Sequence, residues 1–349
     1  MKESSKFVVR AVMDSSRKLS ENGAEVYSST NNGALLDLFG VAGALRGRAY
    51  DEIEGMFAEA FNEDKDLAMR LLFYVRNVRG GLGERKTFRQ MLKWLCRNHK
   101  ELAIANLPQV VEFGRFDDLY IYVDTPAEKE MWDFMFSILN EDYERMMNHK
   151  PISLLAKWMK SINTSSAESR FLAYRTMKAL GFKTEKQYRK VLARMREYLK
   201  VTEHQMSLNQ WHQIVYEAVP SYAMRNYRNA FLKHDRERWA EYLDSLRKGE
   251  TKVNASTLYP YDLVEAIEGN YCWDPSFHYD PLIEEQWKAL PNYVEDGANI
   301  LVMADVSGSM SGRPMATSIG LANYFAQRNH GAFEGLYMTF TNEPKFVTV

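Results

Sequence analysis

Apolar residues recur at three- and four-residue spacing through most of this chain. Leu67, Leu71, Leu72 and Val75 mark one such face, Phe88, Leu92 and Leu95 a second, and Met131, Phe134, Met135 and Ile138 a third. That period predicts amphipathic helices, and residues 1–290 read as almost entirely helical. Pro108, Pro126 and Pro151 sit at expected helix starts, and Gly40, Gly114 and Gly181 at expected breaks. Thr184 with Gln187 has the spacing of a capping box ahead of a helix over 188–199. Segments of about 12 to 20 residues with short connections favour an α-solenoid or irregular helical array over one bundle. No repeat of fixed period is present, so the pattern assigns no named repeat class.

The pattern loosens at Lys248–Ala255, which reads as a loop, and resumes as a shorter helix from Tyr261. Asn270 to Asp280 is turn-rich and aromatic, with Trp273, Phe277 and Tyr279. After Asp296-Gly297 the pattern changes kind. It predicts a strand over 299–304, a turn over 305–313, a helix over 314–328 and a strand over 335–340. A turn at Asn342-Glu343-Pro344 and a strand over 345–349 follow. Strand–helix–strand in so short a space starts an α/β domain with a largely parallel sheet. The expected fold class is therefore mainly α, a helical array over 1–290, followed by the start of an α/β domain over 291–349.

The chain has 349 residues, 46% hydrophobic and 13% aromatic, which suits globular cores and excludes a disordered or fibrous class. No window approaches a membrane span. The N-terminus lacks the apolar run of a secretory signal. Cys96 and Cys272 have no metal-binding or redox spacing and read as buried free thiols in a reducing, cytoplasmic setting. The net charge of −1 hides an asymmetry. Residues 157–200 carry 12 Lys and Arg against 3 Asp and Glu, and residues 261–305 carry 1 against 10. The basic middle suggests a footprint for a polyanion, or helix faces whose charges balance across the fold.

Two segments carry candidate chemistry. In Asp305-Val306-Ser307-Gly308-Ser309-Met310, one carboxylate and two hydroxyls alternate on a turn at the end of a strand. Magnesium takes oxygen ligands and usually keeps several waters, so Asp305, Ser307 and Ser309 form half a cage for it or another divalent cation. The alternative is an ordinary strand-to-helix turn in which Asp305 or a serine caps the helix. In Arg76-Asn77-Val78-Arg79-Gly80-Gly81-Leu82-Gly83-Glu84-Arg85-Lys86, three glycines and several cations surround a helix junction. Backbone N–H groups and guanidinium forks there suit a phosphate. The segment is neither a Walker A loop nor a Rossmann fingerprint. The alternative is a tight turn with Arg79 and Arg85 paired to Glu84 or Asp117. The seven histidines are scattered, and no nucleophile elbow or zinc-protease motif occurs, so no catalysis is expected.

Residues 299–349 resemble the opening strand, metal-ion-dependent adhesion loop, first helix and next strands of a von Willebrand factor A domain. That resemblance makes Asp305, Ser307 and Ser309 first-loop ligands, and it implies a Thr and an Asp from later loops. Thr339 and Thr341 do not match by position, and the chain ends at Val349. The expectation is a fragment or a sheet completed by a partner, with a site too incomplete to guarantee an ion. The Arg76–Lys86 segment and Phe113-Gly114-Arg115-Phe116-Asp117-Asp118-Leu119 are similar to stretches of TROVE-domain proteins, the Ro autoantigen class. Closer still is an uncharacterised plant, bacterial and phage family that joins such helices to a von Willebrand A-like domain. Its markers include Lys157-Trp158-Met159, Tyr188-Arg189-Lys190, Trp211 to Tyr216, Val219 to Met224 and His234-Asp235.

The Ro resemblance implies a ring of HEAT-like repeats that binds RNA ends in its hole and structured RNA on its basic face. Carried over, it makes Arg76, Arg79, Arg85 and Lys86 candidate RNA contacts, together with Lys183, Lys186, Arg189, Lys190 and Arg194. Tyr174, Tyr188, Tyr198 and Trp211 are either stacking platforms or core. The leading expectation is a non-enzymatic RNA-binding scaffold, with a possible protein partner at the metal site and neither a membrane nor a DNA motif. The rival is a metal-dependent protein-interaction module without RNA. A metal-using hydrolase or nuclease is a third class.

Overall fold

The structure, a computed structural model, describes residues 17–19, 23, 25–27, 33–268, 279–295, 297–341 and 343–349. Asn270, Cys272, Trp273, Phe277, Asp296 and Asn342 lie outside the described residues. The chain forms two compact units, Met1–Val201 and Thr202–Val349. It is mainly helical, as the periodicity predicts.

The first unit opens with a correction to the all-helical reading. Strands β1 (Arg17–Leu19) and β2 (Glu25–Tyr27) pair antiparallel, with Arg17 opposite Tyr27 and Leu19 opposite Glu25. Three-residue strands are too short for a period-2 signal to show. Helices α1 (Ala34–Val41), α2 (Tyr50–Glu63), α3 (Lys65–Arg76) and α4 (Arg85–Asn98) follow. Gly40 lies inside α1 rather than ending it. Ile53, Phe57, Leu71, Leu72, Phe88, Met91, Leu92 and Leu95 from these helices share one core. Each such side chain contributes roughly 1.5–3 kcal/mol by leaving water. Asp64 ends α2 and caps α3 by accepting from the Leu67 N–H at 2.9 Å.

Helices α5 (Lys100–Ala105) and α6 (Leu107–Phe113) lead through a 3-10 stretch, Phe116–Tyr122, to α7 (Glu128–Met147). Pro108 starts α6, as expected. Pro151 starts nothing; α8 (Leu155–Trp158) begins later. The buried Asp142 carboxylate instead holds this turn, accepting from Ser153 N at 2.7 Å and Ser153 Oγ at 2.6 Å. Helices α9 (Ala167–Ala179) and α10 (Glu185–Tyr198) complete the unit. Thr184 caps α10 through Gln187 N at 3.2 Å, but Gln187 Oε1 accepts from Lys183 N rather than from Thr184. Half the expected capping box forms.

The second unit holds α11 (Thr202–Ser207), α12 (Ser221–His234), α13 (Arg236–Arg247), α14 (Pro260–Glu268) and α15 (Pro281–Lys288). Tyr216, Phe231, Trp239 and Tyr242 centre one core. A second core joins Leu258, Leu263, Ile283, Leu290 and Val294 to Tyr324. Tyr324 belongs to α16 (Arg313–Arg328), so the interval around 290 lies inside this unit. Gly320 of α16 meets the start of α14 closely: a Cβ there would lie 3.1 Å from Pro260 C and Tyr261 N.

Strand β3 (Met303–Asp305) pairs parallel with β4 (Leu336–Phe340), which pairs antiparallel with β5 (Phe346–Thr348). Helix α16 is the crossover from β3 to β4, a compact parallel unit. Strand β3 is shorter than the predicted 299–304. Upstream of it, the buried Asn329 side chain takes both backbone groups of Ile300, N–H at 3.0 Å and C=O at 2.6 Å. A side chain supplies there what a neighbouring strand would otherwise supply.

Candidate functional site

Asp305 ends β3, and Ser307-Gly308-Ser309-Met310 turn in a short 3-10 segment before α16. The Ser307 N–H donates to Asp305 Oδ1 at 2.9 Å, and the Ser307 and Ser309 hydroxyls meet at 3.1 Å. The Ser307 hydroxyl and then its N–H hold the Asp305 carboxyl below the usual carboxylate range. Gly312, at φ +83°, makes the final turn into α16, a conformation that favours glycine. Neither Asp305 nor a serine caps that helix; Gly312 stands at its N-cap.

Three oxygen donors thus converge on one exposed turn, and no cation pairs with Asp305 among the described residues. An all-oxygen set fits a hard divalent cation better than a soft one. Asp305, Ser307 and Ser309 would hold such an ion, leaving positions for water or an outside carboxylate. No cluster of three His, Cys, Asp or Glu suited to a metal occurs among the described residues. Beside Asp305 lies a surface pocket of about 560 Å³, lined by Val302, Met303, Met310, Pro314 and Leu321. Arg313 also lines it, fixed by Glu265 of α14 at 2.7 and 3.1 Å. The alternation of Asp and Ser revealed the donors. It could not reveal the pocket, which needs α16 laid against β3.

In the first unit the Arg76–Lys86 junction folds back on the end of α3. Leu82 N donates to Tyr74 O, Gly83 N to Asn77 O and Glu84 N to Val75 O. A Cβ on Gly81 would stand 1.9 Å from Tyr74 O, so only glycine fits. Arg76 is a correction to the list of candidate RNA contacts. It is 3% exposed and binds Asp118 Oδ2 at 2.9 Å, because its stem lies in the α3 core face. Glu84 is taken by Arg46, which approaches both carboxylate oxygens. Asp117 is taken by Arg89 at 2.9 Å and Arg115 at 2.7 Å. Arg79 and Arg85 are exposed and pair with neither acid; among the described residues they make no ion pair. Lys86 lies over the Tyr50 ring at 5.4 Å.

Sequence reading missed the centre of this region. Asp118 is fully buried and receives Arg76 Nε, Arg89 Nε at 2.6 Å and the Arg115 N–H at 3.0 Å. A Cβ on Gly114 would lie 2.6 Å from Val110 O and 2.7 Å from Asp118 Oδ2. Arg115 also covers the Trp158 ring at 4.1 Å. Burial would raise the Asp117 carboxyl, but Arg115 and then Arg89 outweigh it and hold it low. Burial would lower the Arg89 guanidinium, and Asp118 and Asp117 outweigh that. The available signal was the acidic doublet itself, two residues after Arg115.

The cations of 157–200 divide into two groups. Arg175 pairs with Asp124 and Glu128. Arg196 holds Ala156 O at 2.8 Å, Met159 O at 2.7 Å and Ser161 Oγ at 2.9 Å, and burial lowers its pKa. Lys183, Lys186, Arg189, Lys190 and Arg194, on or just before α10, are all exposed and form no ion pair among the described residues. Lys186, Lys190 and Arg194 follow at four-residue steps, one face of the helix. Of the aromatics, Tyr188 is fully buried, Tyr198 donates to Lys150 O, and Trp211 stacks on His234 at 4.6 Å. Tyr174 is 42% exposed, with its hydroxyl on Glu185. Cys96 is free and buried, and burial pushes its thiol up to about 12. Among the described residues no helix is long and apolar enough to cross a membrane.

A family model described as a domain of unknown function (DUF2828) matches residues 20–134 and 177–300, and the chain belongs to that family. An uncharacterized protein of Acanthamoeba polyphaga mimivirus is 30% identical over 364 residues, covering 93% of this chain. The chain spans 62% of that relative's length. No solved structure matches the chain.

Proposed function

We propose that this member of the family is a non-enzymatic RNA-binding scaffold of Ro-like architecture, in a cytoplasmic setting. The observation that carries the reading is the contrast among its basic residues. Arg76, Arg175 and Arg196 are engaged by the protein, whereas the five cations around α10 are exposed without ion pairs among the described residues, Arg194 donating only to Met147 Sδ at 3.4 Å. A helix face with cations every fourth residue suits the repeating charge of a nucleic-acid backbone. The succession of short packed helices is compatible with a HEAT-like, TROVE-like array. The strand–loop–helix–strand–strand order, with Asp305 at the first strand's end, supports a von Willebrand A-like reading of the last segment.

The test is RNA binding across a salt series. Affinity should fall as salt rises, and Lys186→Glu with Lys190→Glu should weaken it and flatten the slope by about two counterions. No RNA affinity at low salt, or affinity indifferent to salt, would sink the proposal. A second reading rests on the exposed Asp305 donors beside an apolar pocket. In it, a divalent ion held by Asp305, Ser307 and Ser309 presents an open position to a partner protein's carboxylate. That binding should vanish with chelator and with Asp305→Ala, and persist with the α10 variant.

A further inference from the structure

We infer that Arg85, Arg89 and Arg115 form a phosphate-binding site at the start of α4, distinct from the basic face of α10. The inference rests on the RNA reading for the source of the phosphate, but not for the site itself. Arg89 and Arg115 both reach Asp117 Oδ2, at 2.9 and 2.7 Å, so two guanidiniums converge on one point. Their side chains remain 28% and 30% exposed, and Nη1 of each makes no hydrogen bond among the described residues. Arg85 lies one turn before Arg89 on α4 and is exposed, with no ion pair among the described residues.

The local charge does not balance. Arg76, Arg85, Arg89 and Arg115 surround only Asp117 and Asp118, leaving two positive charges over. Both carboxylates already accept from arginines on each of their oxygens, so they have little left to repel an anion with. Lys157, near the Trp158 ring that Arg115 covers, adds another cation. The crowding is felt at Arg85, where burial and then Arg115 and Arg89 lower the pKa. An oxyanion relieves such crowding, and guanidinium forks match phosphate geometry.

The backbone contributes as well. Helix α4 is 14 residues long and begins at Arg85. Its N-cap residue, Glu84, makes no side-chain cap hydrogen bond, because Arg46 holds that carboxylate. First-turn N–H groups are thereby left for an anion. On the same turn Thr87 is fully buried, and its hydroxyl has no partner among the described residues.

The ligand group is a phosphate, supplied by an internal phosphodiester or by a terminal phosphomonoester. Titration calorimetry on the full chain with inorganic phosphate tests the site alone. Arg85→Gln should weaken phosphate binding about tenfold, with unchanged circular dichroism and melting temperature. Lys186→Glu with Lys190→Glu should leave it intact. Absent phosphate binding, or equal affinity in Arg85→Gln, would overturn the site. Single-stranded RNA with and without a 5′-phosphate then separates the sources. Tighter binding of the phosphorylated strand, lost in Arg85→Gln, supports a terminal phosphate; equal binding of both strands, weakened alike, supports the backbone. Phosphate binding retained without any RNA affinity would sink the RNA reading and leave the site standing.

Discussion

The Asp117–Asp118 cluster and the Asp305 loop are both short polar runs carrying carboxylates, and they use them in opposite ways. Asp118 is fully buried under three donors, and Asp117 is clasped by two arginines. Asp305 stands on an exposed turn whose hydrogen bonds come from its own neighbour. A buried carboxylate must be saturated by the protein, because water is not there to do it. An exposed one keeps its coordinating capacity for something outside. The first centre holds the fold together and lends its surplus of arginines to a ligand. The second contributes little to the fold and offers oxygens.

The sharpest way to break this comparison is at Asp118. Asp118→Ala leaves Arg76 buried and unpaired, so chemical denaturation should show a loss of about 3–5 kcal/mol. A loss no greater than that of a surface substitution would show that the cluster is not structural. Next comes Gly114→Ala, whose Cβ meets Val110 O and Asp118 Oδ2. It should cost about 1–3 kcal/mol by overpacking, read as a lower denaturation midpoint.

Acid titration probes the same contrast more gently. The folded Asp117 pKa lies below its unfolded value of about 3.9, so its stabilisation is complete above that pH. It is lost as pH falls through the folded value. Asp117→Asn should therefore flatten the acid limb of a stability–pH curve below about pH 4. Asp305→Asn should alter that limb far less, since water screens its contacts. The smallest effect on stability is expected at Asp305→Ala, within about 0.5 kcal/mol in the absence of metal. A magnesium-dependent rise in melting temperature, if the loop holds the ion, should disappear in that variant.

The mainly helical class was legible because a 3.6-residue period persists over long segments. The switch to strand, turn and helix near residue 300 was legible because the pattern changes kind there, and α16 lies within one residue of its expected start. The three-residue pair β1–β2 was not, because so few residues carry no period. Pro151 misled because proline permits a helix start without requiring one, and Asp142 held the turn open. Among the basic residues, composition could not separate Arg196, which holds Ala156 O, Met159 O and Ser161 Oγ, from Arg194 two residues away, which is exposed and donates only to Met147 Sδ. Both are arginines on one helix, and only the packed neighbours decide their use.

The sequence by itself determined the helices, the late α/β unit and the identity of the oxygen donors at Asp305, Ser307 and Ser309, because these depend on spacing along the chain. The tertiary structure alone decided which arginines are engaged and which are free. It alone brought Arg85 and Arg89 to Arg115 and its acidic doublet, some thirty residues further along the chain, and set an apolar pocket beside Asp305. Charge pairing and pocket walls depend on contacts between distant segments, and those exist only once the cores have packed.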